Sequence, residues 1–154
     1  MKRVIITYES KYGNTKRVAE TIAEGMREAR GVEITLSRVK EVDFDKIPEY
    51  DAILIGSPNH MGGPVGSVKR FIDKLGKLNL KGKQFAVFDT YIGKDYEKAV
   101  GKMEKRIRDK IPEAELIVSG LSGRVKGMKG PILAEELSRC KDFGRKVGAQ
   151  TSTS

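Results

Sequence analysis

The chain has 154 residues, a single cysteine and a formal net charge of +9, with 38% hydrophobic and 33% charged residues. That length can bury one proper core without disulfides or metal, so a single domain over residues 1–150 is expected. One cysteine excludes an internal disulfide and a multi-cysteine metal site, and no apolar run approaches the ~18 residues of a membrane span.

Strand and helix signals alternate along the sequence. Val4-Ile5-Ile6 centres a first strand over about 2–8, and Val18, Ile22, Met26 and Ala29 recur at helical spacing over about 14–29. Gly31 breaks that helix, and Val32-Glu33-Ile34-Thr35-Leu36 alternates as a second strand. Residues 39–50 carry Val42, Phe44, Ile47 and Tyr50 as a short helix or loop packed on the sheet. Asp51 to Gly56 form a third strand, apolar enough to be buried on both faces. Val65, Val68, Ile72 and Leu75 line a helix stopped by Gly76, and Phe85-Ala86-Val87-Phe88 is a fourth strand. Tyr96, Val100, Met103 and Ile107 line the next helix, Ala114 to Val118 form a fifth strand, and Leu133, Leu137, Cys140 and Val147 line the last helix. The tail 151–154 reads as disordered. Strict βα alternation implies a three-layer α/β sandwich, and five strands in this length suit a parallel sheet of order 2-1-3-4-5. Ligands of such sheets bind outside the carboxyl ends of the strands, at the switch between strands one and three.

The loop at that first switch position is Tyr8-Glu9-Ser10-Lys11-Tyr12-Gly13-Asn14-Thr15. It delivers hydroxyls and a glycine to the first turn of a helix, where N–H groups lack intrahelical partners and the dipole favours an anion. It is neither a P-loop nor a Gly-x-Gly-x-x-Gly fingerprint, and it reads as a phosphate cradle. The alternative is a plain helix capped by Asn14 or Thr15. The loop after strand three is Ser57-Pro58-Asn59-His60-Met61-Gly62-Gly63-Pro64, and that after strand four is Asp89-Thr90-Tyr91-Ile92-Gly93-Lys94.

A hydroxyl-bearing loop ending Gly-Asn-Thr, with a third strand ending Gly56-Ser57-Pro58, resembles the flavodoxin family over essentially the whole chain. Tyr8 and Tyr12 depart from its usual hydroxyl residues, and Ser10-Lys11-Tyr12-Gly13-Asn14-Thr15 is also similar to menaquinone-dependent protoporphyrinogen oxidase. The resemblance implies a flavodoxin-like fold binding one FMN non-covalently. Ser10, Lys11, Tyr12, Gly13, Asn14 and Thr15 would meet its phosphate. Ser57, Pro58 and Asn59 would meet the ribityl chain and phosphate, with His60, Met61 and Gly62 closing one side of the ring. Thr90, Tyr91, Ile92 and Gly93 would close the other side, Tyr91 stacking on the ring or else packing on Tyr96. In that family a peptide of the second loop flips so that its carbonyl accepts a hydrogen bond from reduced flavin, and Met61-Gly62 is the matching place. Gly62 and Gly63 read equally as a turn into Pro64.

No Ser/His/Asp triad, carboxylate pair or metal cluster stands out. His60 is the only histidine, and Cys140 sits on an apolar stripe as a core residue. The charge is uneven: residues 1–56 hold ten basic and ten acidic side chains, residues 57–154 twenty and eleven. Such a surface attracts acidic partners or simply stays solvated, and the lysines lack the aromatic interleaving of a nucleic-acid site. The expected function is a cytoplasmic electron-transfer flavodoxin, shuttling electrons between redox partner proteins with acidic docking surfaces. The alternative is an FMN-dependent oxidoreductase acting on a quinone or another flat substrate. The absence of tryptophan leaves one face of the ring open for either.

Overall fold

The computed structural model describes residues 1–153. Seven strands form one sheet: β1 (Lys2–Tyr8), β2 (Val32–Arg38), β3 (Ala52–His60), β4 (Gly63–Pro64), β5 (Gln84–Tyr91), β6 (Glu115–Leu116) and β7 (Leu121–Arg124). The helices are α1 (Asn14–Met26), α2 (Gly66–Leu75), α3 (Lys98–Lys110) and α4 (Ala134–Thr153). The parallel core runs β2-β1-β3-β5, continued by β6 and β7, which both pair with β5. This is the expected 2-1-3-4-5 order with the fifth strand cut in two. The cut moves most of that strand downstream of the expected Ala114–Val118: Phe88 to Tyr91 pair with Leu121 to Arg124.

The central strands alternate between two apolar clusters, as a two-sided parallel sheet requires. Val4, Ile6, Ala52, Leu54, Ala86 and Phe88 pack under α1 and α4. Ile5, Ile53, Ile55, Phe85 and Val87 pack under α2 and α3. That parity matters at the top of β5, where Asp89 falls on the α3 side and Thr90 on the α1 side. Helices α1 and α4 approach through backbone: a Cβ on Gly144 would lie 2.0 Å from the Ile22 carbonyl oxygen.

The last helix differs from the expected tail. It continues through Thr153, and Thr151 is fully buried. Cys140, Gly144, Val147 and Thr151 follow at spacings of four, three and four, so Thr151 extends the buried stripe of α4 and tertiary packing overrides the weak helix propensity of Thr and Ser. Ser154 lies outside the described residues. Tyr96 sits before α3 and is half exposed, rather than lining the helix.

Candidate functional site

A cavity of about 590 Å³ opens at the carboxyl ends of β1, β3 and β5, within the size range of small-molecule sites. It lies at the switch point between β1 and β3. The 9–15, 58–67 and 90–95 segments line it, joined by Val125, Gly127 and Met128 from a fourth segment.

The first segment closes on itself. Gly13 caps α1 at φ 91°, a left-handed conformation that glycine adopts without strain. The buried Ser10 hydroxyl accepts the N–H of Gly13 at 3.1 Å and of Lys16 at 3.3 Å. Asn14 and Thr15 are the first two residues of α1, so their N–H groups have no carbonyl one turn back to meet. Glu9 places a carboxylate beside this anion-favouring turn, but its charge is answered. Arg38 stands 3.7 Å from it, and Ser67 donates to its Oε2 at 3.2 Å. Lys11, over the Tyr12 ring at 5.4 Å, adds positive charge. The turn therefore keeps its preference for an anion.

Polar ties lock the segments together. The buried Thr15 and Thr90 hydroxyls lie 2.9 Å apart and join the first and third segments. Asn59 Nδ2 donates to Asp95 Oδ2 at 2.7 Å and joins the second and third. Val125 N–H donates to the Tyr91 carbonyl at 2.8 Å and joins the third and fourth. The second segment is a β3–β4 hairpin whose two-residue turn is Met61 at φ 51° and Gly62 at φ 79°. Positive φ at both positions is the backbone signature of a type I′ turn, and in Met61 it is uncommon.

Beneath the third segment lies Asp89, fully buried. Its Oδ1 accepts the Ser122 hydroxyl at 2.6 Å, and its Oδ2 accepts the Val100 N–H at 3.0 Å. Ser122 in turn accepts the N–H of Glu97 at 3.0 Å, which holds Glu97 at φ 60° ahead of α3. Burial raises the Asp89 carboxyl to about 6, against the two hydrogen bonds that favour its ionised form. Burial also raises the Tyr91 phenol. The Tyr91 ring lines the cavity while meeting Tyr96 edge-on at 5.5 Å, so the two roles considered for it are compatible.

Of the anticipated residues, Ser10, Lys11, Tyr12, Asn14, Thr15, Pro58, Asn59, His60, Met61, Thr90, Tyr91 and Ile92 line the cavity. Gly13, Ser57, Gly62 and Gly93 do not. Ser57 is buried, donating to the Pro58 carbonyl at 2.8 Å and accepting the Val65 N–H at 3.0 Å, so it braces the second segment from behind. Sequence reasoning missed the fourth segment, although Gly127 and Met128 reach the cavity. Its glycines and lysines, 126–130, stand at the carboxyl end of the true fifth strand, and that was the available signal. A Cβ on Gly130 would lie 2.3 Å from Asn14 Oδ1, so the segment lies directly against the start of α1. Cys140 is buried in the core and its thiol is pushed up to about 12 by that burial. No group of His, Cys, Asp and Glu that could hold a metal occurs among the described residues.

Fold and cavity together define a doubly wound α/β protein with a ligand site at its switch point, offering an anion-favouring helix start near one side and an aromatic ring on another wall. The comparisons agree. A flavodoxin domain profile matches residues 5–129. A flavodoxin of Aquifex aeolicus is 37% identical over 93 residues, 58% of this chain and 50% of that protein, so the match spans half the length of that relative. Oxidised flavodoxin 2 of Bacillus cereus superposes with a TM-score of 0.80 at 26% identity, covering 96% of this chain and 98% of that one. Rubredoxin oxygen:oxidoreductase of Desulfovibrio gigas shares the fold alone. It is 17% identical with a TM-score of 0.80, and the match covers 98% of this chain but 36% of that protein. The chain belongs to the flavodoxin domain family, whose cofactor is FMN.

Two observations test the cavity for that cofactor. Asn59 Oδ1 is buried without a hydrogen-bond partner, although Asn59 lines the cavity. A buried acceptor left unpaired is costly, so a ligand N–H or O–H reaching it would be stabilised. The α1 start supplies the complementary place for a phosphate. The residues present fit FMN.

Proposed function

We propose that this chain is an FMN-binding electron-transfer flavodoxin that passes electrons between redox partner proteins in the cytoplasm, working as a single domain. The observation that carries the reading is the cavity at the switch point, walled by three loops that the family uses and closed by a fourth. Bound FMN supplies the redox chemistry, taking up and releasing two electrons singly or as a pair. The protein binds, orients and shields it. Ser10, Lys11, Tyr12, Gly13, Asn14 and Thr15 hold the phosphate. Pro58 and Asn59 hold the ribityl chain, with Ser57 bracing them. His60, Met61 and Gly62 cover one side of the ring. Tyr91 covers the other, with Thr90, Ile92 and Gly93 at its edge. The partners carry acidic docking surfaces, neither nucleic acid nor a membrane span is involved, and no helix of the described residues is long and apolar enough to cross a membrane.

A second reading has one observation in its favour. Among the residues that line the cavity from the second segment there is no aromatic side chain to cover the ring beyond His60, and Met61 is 90% exposed. An FMN-dependent oxidoreductase would admit a quinone or another flat substrate there. One experiment separates the readings. The protein is loaded with FMN and titrated anaerobically with electrons while absorption and potential are followed. Two resolved one-electron waves support the carrier. A single two-electron wave, with turnover of a quinone, supports the enzyme. A colourless protein that ignores added FMN overturns both.

A further inference from the structure

A second cavity, of about 610 Å³, adjoins the first and has no part in the reading above. Its volume falls within the range of small-molecule sites. Tyr12 and Asn14 line both cavities, and Met128 lines the first while the next residue, Lys129, lines the second. None of the residues placed around the flavin ring lines the second cavity. It therefore begins at the start of α1, where the cofactor phosphate is placed, and extends away from the ring. Gly13, which also lines it, is exposed, and a Cβ there would meet nothing within 4 Å. Open space thus leads past the phosphate cradle from one cavity to the other.

Its walls carry two kinds of group. Arg17 and Lys129 are exposed cations, and among the described residues no acidic side chain joins them in the lining. Arg17 stands one helical turn beyond Gly13, whose carbonyl accepts its N–H at 3.0 Å, and the Glu24 carboxylate is no closer to its guanidinium than 4.0 Å. Among the described residues Lys129 has no carboxylate within ion-pair distance. The apolar part of the wall is the Tyr12 ring, 41% exposed, with Pro131, Ile132 and Leu137. Ile132 belongs to the core under α1 and α4 and Leu137 packs against it, so this wall is anchored. Two weakly answered cations beside an aromatic ring and an apolar wall fit a ligand that joins an anion to a flat ring.

We infer that the second cavity takes a nucleoside monophosphate, its phosphate on Arg17 and Lys129 and its base against Tyr12, Pro131 and Leu137. The inference goes beyond the electron-carrier reading but rests on its placement of the FMN phosphate. The same chemistry can arrive in two ways. It is the half by which FAD exceeds FMN, and then one flavin spans both cavities with its diphosphate passing Gly13. Or it is a separate mononucleotide, such as AMP, beside bound FMN. The residues shared between the cavities favour the first, because a covalent link makes the second contact intramolecular and raises its effective concentration.

The test is calorimetric titration of the flavin-free full chain with FMN and with FAD, repeated on the double variant Arg17→Ala, Lys129→Ala. FAD should bind at least as tightly as FMN. The double variant should lose about tenfold in FAD affinity and less than about twofold in FMN affinity. A second arm titrates AMP, up to about 5 mM, into the FMN-loaded protein. FAD weaker than FMN, with AMP bound and that binding lost in the double variant, supports the inference and assigns the separate mononucleotide. FAD weaker than FMN with no AMP bound overturns it. So do an FAD-to-FMN affinity ratio and an AMP affinity that the double variant leaves unchanged. Either of these results leaves the FMN reading standing. If the chain binds neither flavin, the FMN reading fails, and AMP titrated into the bare chain decides the second cavity. Binding that vanishes in the double variant supports the inference, and no binding overturns it.

Discussion

Replacing Asp89 by Asn should make the protein more stable at neutral pH and yet loosen its candidate site. The sign follows from burial. The carboxyl lies at about 6 in the fold against an unperturbed value of 3.8. The folded state therefore holds a proton that the unfolded chain has lost. Stability from this group is fully present below about pH 4 and is lost as pH rises through about 6. The difference of about two units corresponds to about 3 kcal/mol. Asparagine resembles the protonated acid, with one acceptor and one donor, and does not titrate. Asp89→Asn should thus match the wild type near pH 4 and exceed it by up to about 3 kcal/mol above pH 7. In a chain of this length that is a rise in melting temperature of about 6–12 °C.

The ionised carboxylate has a use that the amide cannot reproduce. Its two oxygens accept both the Ser122 hydroxyl and the Val100 N–H. The amide retains one acceptor, so Ser122 loses the partner for its proton and its grip on the Glu97 N–H weakens. The loop carrying Tyr91 and Asp95 should then hold FMN about five- to tenfold less tightly, the equivalent of one buried hydrogen bond. Urea unfolding of both proteins from pH 4 to 8, with FMN binding at pH 7.5, checks both halves. A stability difference that stays constant over that range would refute the reasoning, because it would place Asp89 at an ordinary carboxylate value.

Other perturbations test other parts of the structure. Gly144→Ala puts a Cβ 2.0 Å from the Ile22 carbonyl oxygen, so it should destabilise by about 3 kcal/mol or more in urea melts. Thr90→Val removes the 2.9 Å contact with Thr15 and leaves a buried hydroxyl unpaired; it should cost about 1–2 kcal/mol of stability and weaken FMN binding, read by fluorescence quenching. At Met61, already at φ 51°, a rotation of the Met61–Gly62 peptide leads toward backbone that glycine tolerates far better. Met61→Gly should therefore widen the gap between the two one-electron potentials, and an unchanged gap would show that this peptide does not move. Positive charge around the cavity favours the anionic reduced state, so the second potential should be less negative than in acidic flavodoxins, by the same titration.

Much of the fold was legible because its strands are extreme. Val4-Ile5-Ile6 and Ile53-Leu54-Ile55 leave no competing reading once helices alternate with them. The fifth strand was only half found, for the opposite reason. Leu121-Ser122-Gly123-Arg124 lacks any β-branched residue, yet its small residues are what the site needs. Ser122 must reach Asp89, and a Cβ on Gly123 would already stand 3.3 Å from Ile132. Ala114 to Val118 has the better local propensity but contributes only Glu115 and Leu116 to the ladder. Tertiary contacts overrode propensity there, and the fourth wall of the cavity was hidden with it.

The site's division of labour follows from which contacts local sequence can encode. The first loop announces itself because an anion cradle is built from consecutive residues. The ties that hold it in register, Thr15 to Thr90, Asn59 to Asp95 and Tyr91 to Val125, join residues from 34 to 75 positions apart. No window of sequence contains both partners. All three ties lie on the side of the cavity toward β5, whereas Met61 and Met128 stand free at its mouth. The cavity is thus tied together along its β5 side and free of such ties at Met61 and Met128. A stability gained at Asp89 and paid in FMN affinity would be the direct measure of how much of that firmness comes from one buried charge.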